Sequence, residues 1–543
     1  MLARRTVLAL LALALVIPAS APARRAARLS TPSGLKAFSL NYNEPASHNF
    51  SRTPAFSWKP IPRAGNYEFQ LATSTSFREN SIIWSSNTLT MPYVSIPLAL
   101  PWVTGHPYSL FARVRARTQL GTTPWSTDFG FNVRWTQIPA KLPAPNGLLR
   151  WTPVDGAAEY QILEGNVPNT WEKTYYVATN VADMRDWYTF HQGLNWVGTV
   201  YWRVRAVRVT YGTSQNGEPS TSYGPWSKPI FQTNATPPTA SQIALGGSVS
   251  DVIGTIAKPA AHKIMPGFYW SGSLAFYHTD TSFDLYRTYI FSDKDCVDPV
   301  FIGSIVGSPA WAPRLNGALV LPRSADDLAK ARAGMLADGD QGEALDNSLD
   351  PVTSNENLGG DVASGGAPRR LDLWDRKWPS GIYYWTTVPV EQIVDVNDNI
   401  EYWDAESPQD VCGRGRFGKF GRVSDPIPTG STSAYVTGLS LSGRTMSAMA
   451  SRSSLFYGTP LVTWTPVLGA DEFELQWSRT RYPFQAAGKV VTPAASTVLS
   501  LRPGLWYYRV RGIDLQMPAG AQGMAWSSVR SLRLAKPVFR VVS

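Results

Sequence analysis

Hydrophobic and polar residues alternate with a period of two in several stretches of the chain. In YEFQLA (67–72), Tyr67, Phe69 and Leu71 fall on one side and Glu68 and Gln70 on the other, as in a strand with one buried face. FARVRA (111–116), YWRVRAV (201–207) and WYYRVRGID (506–514) repeat the pattern. Val114, Val204 and Val510 point away from the arginines that flank them. The segments between these runs are rich in Thr, Val, Tyr, Ser and Pro, with no apolar stripe of helical length, so the pattern predicts an all-β chain.

The strands recur in register. WKPIPRAGNYEF (58–69), WTPVDGAAEYQI (151–162) and WTPVLGADEFEL (464–475) share a tryptophan, a proline two residues on, an alanine six on and an aromatic nine on. Each is followed by its arginine–valine–arginine strand and then by PWS (124–126), PWS (225–227) or AWS (525–527). Repetition at about 100 residues indicates tandem units.

These motifs resemble the fibronectin type III family: a tryptophan on the second strand, an aromatic on the third, a Leu-x-Pro-Gly corner before Tyr-x-x-Arg-Val, and a last strand opening on Trp-Ser. SLRPGLWYYRVRG (500–512) carries the resemblance most fully, with Leu501 at the corner and Trp102 and Trp196 in the matching slots of the first two units. The resemblance implies tandem immunoglobulin-like β-sandwiches, each of two packed antiparallel sheets. It also implies a further, less regular unit. GIYYWTTV (381–388) reads as its sixth strand, VSDPI (423–427) parallels WSKPI (226–230), and YRTYIFSDKDC (286–296) parallels YEFQLATSTSF (67–77) with Cys296 where Phe77 stands. Its opening Trp270 lies sixteen residues from Tyr286, and it lacks the arginine pair. The expected organisation is a signal peptide over 1–23 and fibronectin type III-like units over 32–136, 137–236, 237–430 and 431–543.

On this reading Arg113, Arg115, Arg203, Arg205, Arg509 and Arg511 lie on outer faces, where Trp125, Trp226 and Trp526 can stack on their guanidinium groups. They form either a structural ladder or a grip for phosphate or acidic glycan. Trp84, Trp171 and Trp187 are candidate sugar or protein platforms, with packing between sheets as the alternative.

The first residues change the picture of where the protein works. Arg4 and Arg5 precede an apolar run over 7–17 and small residues ending at Ala23, the order of a secretory signal. Sec-type export is expected over the twin-arginine route, since the flanks of the arginine pair match the latter poorly. No transmembrane segment is expected in the mature chain. The product is expected to be secreted, or held at the cell surface by its own affinity. In an oxidising compartment Cys296 and Cys412 can form one bridge, two free thiols being the alternative. The net charge of +10, or +8 without Arg4 and Arg5, reads as a bias toward anionic partners spread over a long chain.

Residues 324–366 are acidic and poor in aromatics, which predicts a disordered insert with a short helix over 326–336. VDVNDNIEYWDAE (394–406) spaces Asp395, Asn397, Asn399 and Glu401 two apart, a pattern that Ca²⁺ can use and that a hairpin tip also produces. DVNDN is similar to the calcium-binding linker of cadherins, without its following proline or partner motifs. No cofactor is expected, with calcium at these four residues as the alternative. The five histidines lack metal or nucleophile spacing, and no nucleophile elbow, phosphate loop or dinucleotide fingerprint occurs. Asp372, Asp375, Glu391 and Asp404 supply candidate carboxylates for a glycan-active site in the third unit. The principal expectation is a non-enzymatic binding or adhesion protein that contacts cell-envelope polysaccharide or an extracellular protein, with no specific nucleic acid. The alternative is a structural spacer set by the proline-rich joints PAKLPAP (139–145), NATPPT (234–239) and PIPTG (426–430).

Overall fold

The computed structural model describes residues 29–40, 44–144, 147–177, 179–184, 198–210, 220–234, 261–262, 267–270, 285–297, 299–306, 310–312, 381–394, 400–404, 406–422, 439–441, 444–446, 455–456, 458–467, 470–513, 515 and 523–535. The expected signal segment and the acidic insert lie outside them.

The alternating strands assemble into four sandwiches, each a small sheet against a large one. In the first, Lys36–Phe38, Ala55–Ser57 and Tyr93–Val94 form the small sheet. The large sheet runs from the edge strand Ile82–Leu89 through Ala64–Ala72 and Leu110–Thr118 to Phe129–Val133. The second unit places Leu148–Arg150 beside Val181–Asp183 and faces them with Lys173–Val177, Glu159–Gly165 and Gly198–Thr210. The fourth pairs Leu461–Thr463 with Ser496–Val498 and builds its large sheet from Gly488–Thr492, Glu472–Ser478, Gly504–Ile513 and Arg530–Leu534.

The concealed third unit has the same plan. Leu285–Phe291 pairs with Gly381–Val394, which pairs in turn with Gly418–Arg422. Phe268–Tyr269 and Ala310–Trp311 make its small sheet. Its opening tryptophan meets its aromatic partner despite the longer spacing: Trp270 and Tyr286 stand 5.5 Å apart, edge to face. The pairs Trp58–Tyr67 at 5.3 Å, Trp151–Tyr160 at 5.4 Å and Trp464–Phe473 at 5.6 Å have the same geometry. The longer spacing therefore leaves the core pair intact. VSDPI lies outside the described residues.

One detail departs from purely antiparallel sheets. In the first, third and fourth units an early two-residue strand pairs in parallel with the last strand: Asn49–Phe50 with Phe129–Val133, Ala261–His262 with Gly418–Arg422, and Leu455–Phe456 with Arg530–Leu534. This gives backbone partners to a strand that would otherwise present an open edge.

The units also touch one another through named contacts. Between the first and second, Arg208 is buried and donates to the carbonyls of Leu100 and Gly156. Burial draws its guanidinium down to about 9, Arg52 acting in the same direction and Asp155 against both. Gly156 has φ +86°, and a Cβ there would lie 2.7 Å from the Ser51 carbonyl. Residues of the joint PAKLPAP are tied down as well, since the Leu142 amide donates to Arg150. The small sheets of the second and third units share a cluster of Leu148, Val181, Ala310 and Ala312, where the Ala312 amide donates to Asp183 at 2.7 Å. The small sheets of the first and fourth units share Phe38, Ala55, Tyr93 and Leu461. There the Tyr93 hydroxyl donates to the Thr459 carbonyl and the Ser496 hydroxyl meets that of Ser95 at 2.7 Å.

Candidate functional site

The arginine–valine–arginine strands sit in the middle of their large sheets. Val114, Val204 and Val510 are fully buried inward, and the flanking arginines lie on the outer face, half-buried. The next strand explains why the tryptophan and serine recur. Ser126 donates its amide to the Val114 carbonyl, and its hydroxyl accepts from the Val114 amide at 3.1 Å. Ser227 clips Val204 and Ser527 clips Val510 in the same two-bond manner. Each clip places a tryptophan over the arginines.

In the first unit Arg113 lies 4.0 Å from the Phe77 ring and 4.3 Å from that of Trp125, and Arg115 lies 4.3 Å from Trp125. In the fourth, Arg509 lies 4.2 Å from Phe484 and 4.1 Å from Trp526, with Arg511 at 4.5 Å from Trp526. In the second, Arg205 packs on Tyr223 and Trp226, and Arg203 lies 5.7 Å from Trp171.

The third strand position was not read from the sequence. Gln70 accepts two hydrogen bonds from Arg113, and Gln476 two from Arg509. Glu68 receives Arg115 at 2.7 Å, and Glu474 receives Arg511 at 2.8 Å. Burial opposes ionisation of Glu68, yet Arg115 and Arg117 outweigh it and hold the carboxyl below its usual range. At Glu474, Gln476 and Arg511 do the same. Gln161 accepts from Arg205, whereas Arg203 donates to the Ser227 carbonyl. The signal was present in the Glu-x-Gln of EFQL and ELQW, but it needs the cross-strand register Glu68↔Arg115 and Glu474↔Arg511 to be recognised.

The other candidates separate. Trp84 faces inward, its ring 6.0 Å from Phe69, and Trp171 belongs to the second stack. Trp187 lies outside the described residues, as do Asp395, Asn397 and Asn399. The strands flanking the last three pair Val394 with Ile400, and Glu401 lies on the second of them. Among the described residues no group of three metal-capable side chains occurs. No helix among them is long and apolar enough to cross a membrane.

The third unit closes the corresponding outer face. A helix, Pro408–Gly413, is capped where the Ser407 hydroxyl accepts from the Asp410 amide. Its Val411 and Cys412 pack on Tyr289, Phe291 and Val388. Cys296 and Cys412 form a disulfide. Cys296 has φ 56°, and Phe77, at the matching turn of the first unit, has φ 47°. Beneath lies Arg287, 1 % exposed, its Nη1 2.9 Å from Asp404 Oδ1. The Tyr289 hydroxyl donates to Asp404 Oδ2. Burial raises the Asp404 carboxyl, with Arg287 pulling against it. Asp404 is thus held in a buried ion pair. Asp372 and Asp375 lie outside the described residues, and Glu391 stands on the Gly381–Val394 strand.

No family model matches the chain, and no curated protein matches it. Solved structures similar to parts of it include a two-domain fibronectin type III segment of chicken tenascin, 10 % identical, covering 38 % of this chain and 100 % of that one at TM-score 0.19. The chicken interferon gamma receptor alpha chain is 10 % identical over 38 % of this chain and 99 % of its own, at TM-score 0.18. The human OSCAR ligand-binding domain is 14 % identical over 37 % and 98 %, at TM-score 0.15. The strand order and register above define tandem fibronectin type III-like sandwiches independently of these likenesses, a plan shared by many cell-surface domains.

Proposed function

We propose that the protein is a secreted, non-enzymatic binding or adhesion protein that contacts cell-envelope glycan or another extracellular protein through the outer faces of its large sheets. One observation supports this reading above the rest. The small sheets pack first on fourth and second on third, and the first–second contact is made by Arg208 on the Gly198–Thr210 strand, so none of the arginine–tryptophan stacks takes part in these named contacts. The ladder arginines commit several donors to Gln and Glu of their own sheet, which makes each stack a rigid platform whose remaining edge can meet a partner. The spacer reading is weakened by the same contacts. A spacer gains reach from units joined end to end, whereas Tyr93 and Thr459 meet across 366 residues of sequence.

The test is sedimentation of the chain from residue 24 onward with protein-stripped cell wall and insoluble polysaccharide at low and high salt. Binding is expected. Retention at high salt assigns it to aromatic platforms, and loss with salt to the arginine faces. Failure to sediment in either condition, together with failure to capture an extracellular protein, overturns the reading.

A further inference from the structure

The three arginine ladders are not alike, and the cross-strand register shows where they part. In the first unit Glu68 faces Arg115 and Gln70 faces Arg113; in the fourth, Glu474 faces Arg511 and Gln476 faces Arg509. In the second, Gln161 faces Arg205 and Leu163 faces Arg203. The carboxylate has become an amide and the amide a leucine. Among the described residues no ion pair joins Arg203 or Arg205 to a carboxylate. Glu164 is buried and accepts from the Tyr175 hydroxyl, Glu159 is 2 % exposed and pairs in register with Val207, and Glu172 stands exposed at the end of the loop that carries Trp171.

These two arginines share their face with a continuous row of rings. Tyr201, Arg203 and Arg205 take successive outward positions of the Gly198–Thr210 strand, roughly 7 Å apart. At one end the Phe231 ring meets that of Tyr201 at 6.4 Å, and Lys141 lies 5.8 Å from Phe231. In the middle Trp171 lies by Arg203, and at the other end Arg205 lies 3.9 Å from the Tyr223 ring and 4.4 Å from that of Trp226. Phe231 is 60 % exposed and Tyr223 43 %. The contacts with the first and third units use Arg208, Gly156, Leu148, Val181 and Asp183, and none of the residues of this row.

A cation pair without its anion, set beside exposed rings and a leucine, has the make-up of a protein contact. The centres of such contacts are rich in Tyr, Trp, Phe and Arg and poor in Glu, Asp and Lys. A phosphate polymer or a lipid surface is held by many protruding cations, whereas these two guanidinium groups lie half-buried over rings. Sugar hydroxyls donate as well as accept, and this face offers them little: no carboxylate reaches the arginines, and the Gln161 oxygen is taken by Arg205 at 2.7 Å. Carboxylates among apolar side chains answer both features, since they accept from the donors that Arg203 and Arg205 keep and cover the rings and Leu163. We propose that the outer face of the second unit's large sheet docks a protein that presents carboxylates among apolar side chains. The proposal rests on the binding-protein reading and narrows it to one unit and one class of partner.

The experiment measures binding of the chain from residue 24 onward to an immobilised random copolymer of Glu and Tyr, with polyglutamate, a Lys–Tyr copolymer, polygalacturonate, dextran, polyphosphate and single-stranded DNA as comparators. The Glu–Tyr copolymer is expected to bind best, polyglutamate more weakly and the Lys–Tyr copolymer not at all. Gln161→Glu with Leu163→Gln rebuilds in the second unit the partners that the first and fourth units have. It should weaken binding about tenfold at low salt and flatten the salt dependence, each exposed ion pair given up being worth roughly fivefold at most. Phe231→Ser should weaken binding about tenfold with the salt dependence kept. Phe231 is exposed and the double substitution copies a register the fold already uses, so an unchanged unfolding midpoint is expected and checks that both variants are folded. Wild-type affinity in either variant, no binding of the Glu–Tyr copolymer, or tighter binding of polygalacturonate, dextran, polyphosphate or DNA overturns the proposal. If the protein still sediments with wall material or captures an extracellular protein in that event, only this assignment falls; if it does neither, the binding-protein reading falls with it.

Discussion

Arg287 occupies the strand position that Glu68 holds in the first unit, one residue beyond the aromatic that meets the opening tryptophan. Across the strands Glu68 faces Arg115, whereas Arg287 faces Val388. The third unit has thus moved its cation from the middle strand to the neighbouring Leu285–Phe291 strand and recruited Asp404 from the Ile400–Asp404 strand as the anion. Two of the arginine's nitrogens, Nε and Nη2, are buried without a hydrogen-bond partner, a state that adds to the cost of desolvating the pair. Asp404→Ala, which strands the charge, is expected to destabilise the third unit by about 3–5 kcal/mol. The double variant Arg287→Met with Asp404→Leu should equal or exceed wild-type stability, because an apolar pair carries no desolvation penalty. Urea unfolding of the two variants decides the matter: equal destabilisation in both would show that the ion pair does not dominate there.

At the scale of elements, the serine after each clip tryptophan and the helix over the third unit solve one problem in two ways. An outer sheet face with long side chains must be held in one arrangement or covered. The first, second and fourth units hold it with guanidinium groups stacked on rings; the third covers it with the Pro408–Gly413 helix and ties that helix to the Cys296 turn. The bridge closes 116 residues of chain, for which loop-closure entropy suggests about 4–5 kcal/mol. Cys296→Ala with Cys412→Ala is therefore expected to lower the urea midpoint of the third unit and leave the others near wild type. A matching fall on adding reductant to the wild type would confirm the cause, and an unchanged midpoint would show that the helix is held by the packing of Val411 on Tyr289, Phe291 and Val388.

At the scale of the whole molecule, the contact between the first and fourth units decides whether the chain folds back on itself. It consists of a small apolar cluster and a few hydroxyl hydrogen bonds, so one buried charge should break it. Leu461→Asp is expected to increase the radius of gyration in small-angle scattering. The pair Ser95→Cys with Ser496→Cys should form an intramolecular disulfide that keeps the wild-type radius. If the charge substitution leaves the radius unchanged, or the cysteine pair links separate molecules, the first and fourth units do not meet within one chain in solution.

The repeated tryptophan, the alternating strands and the arginine pairs were legible in the sequence because they obey local rules: strand period, turn chemistry and a register shared among units. Even the irregular third unit was legible in outline, since Trp270, Tyr286 and Cys296 keep their roles while only the spacing from Trp270 to Tyr286 changes. What only the tertiary structure decided depends on contacts between residues far apart in the chain. Strand pairing brought Gln70 and Glu68 under the arginines, and sheet packing chose which faces are covered by another unit. The loop between Glu472–Ser478 and Gly488–Thr492 reached the start of the Gly504–Ile513 strand, so that Arg479 came to lie over Trp506 and Phe484 over Arg509. Such placements follow from the summed packing of the whole fold, which local patterning constrains without specifying.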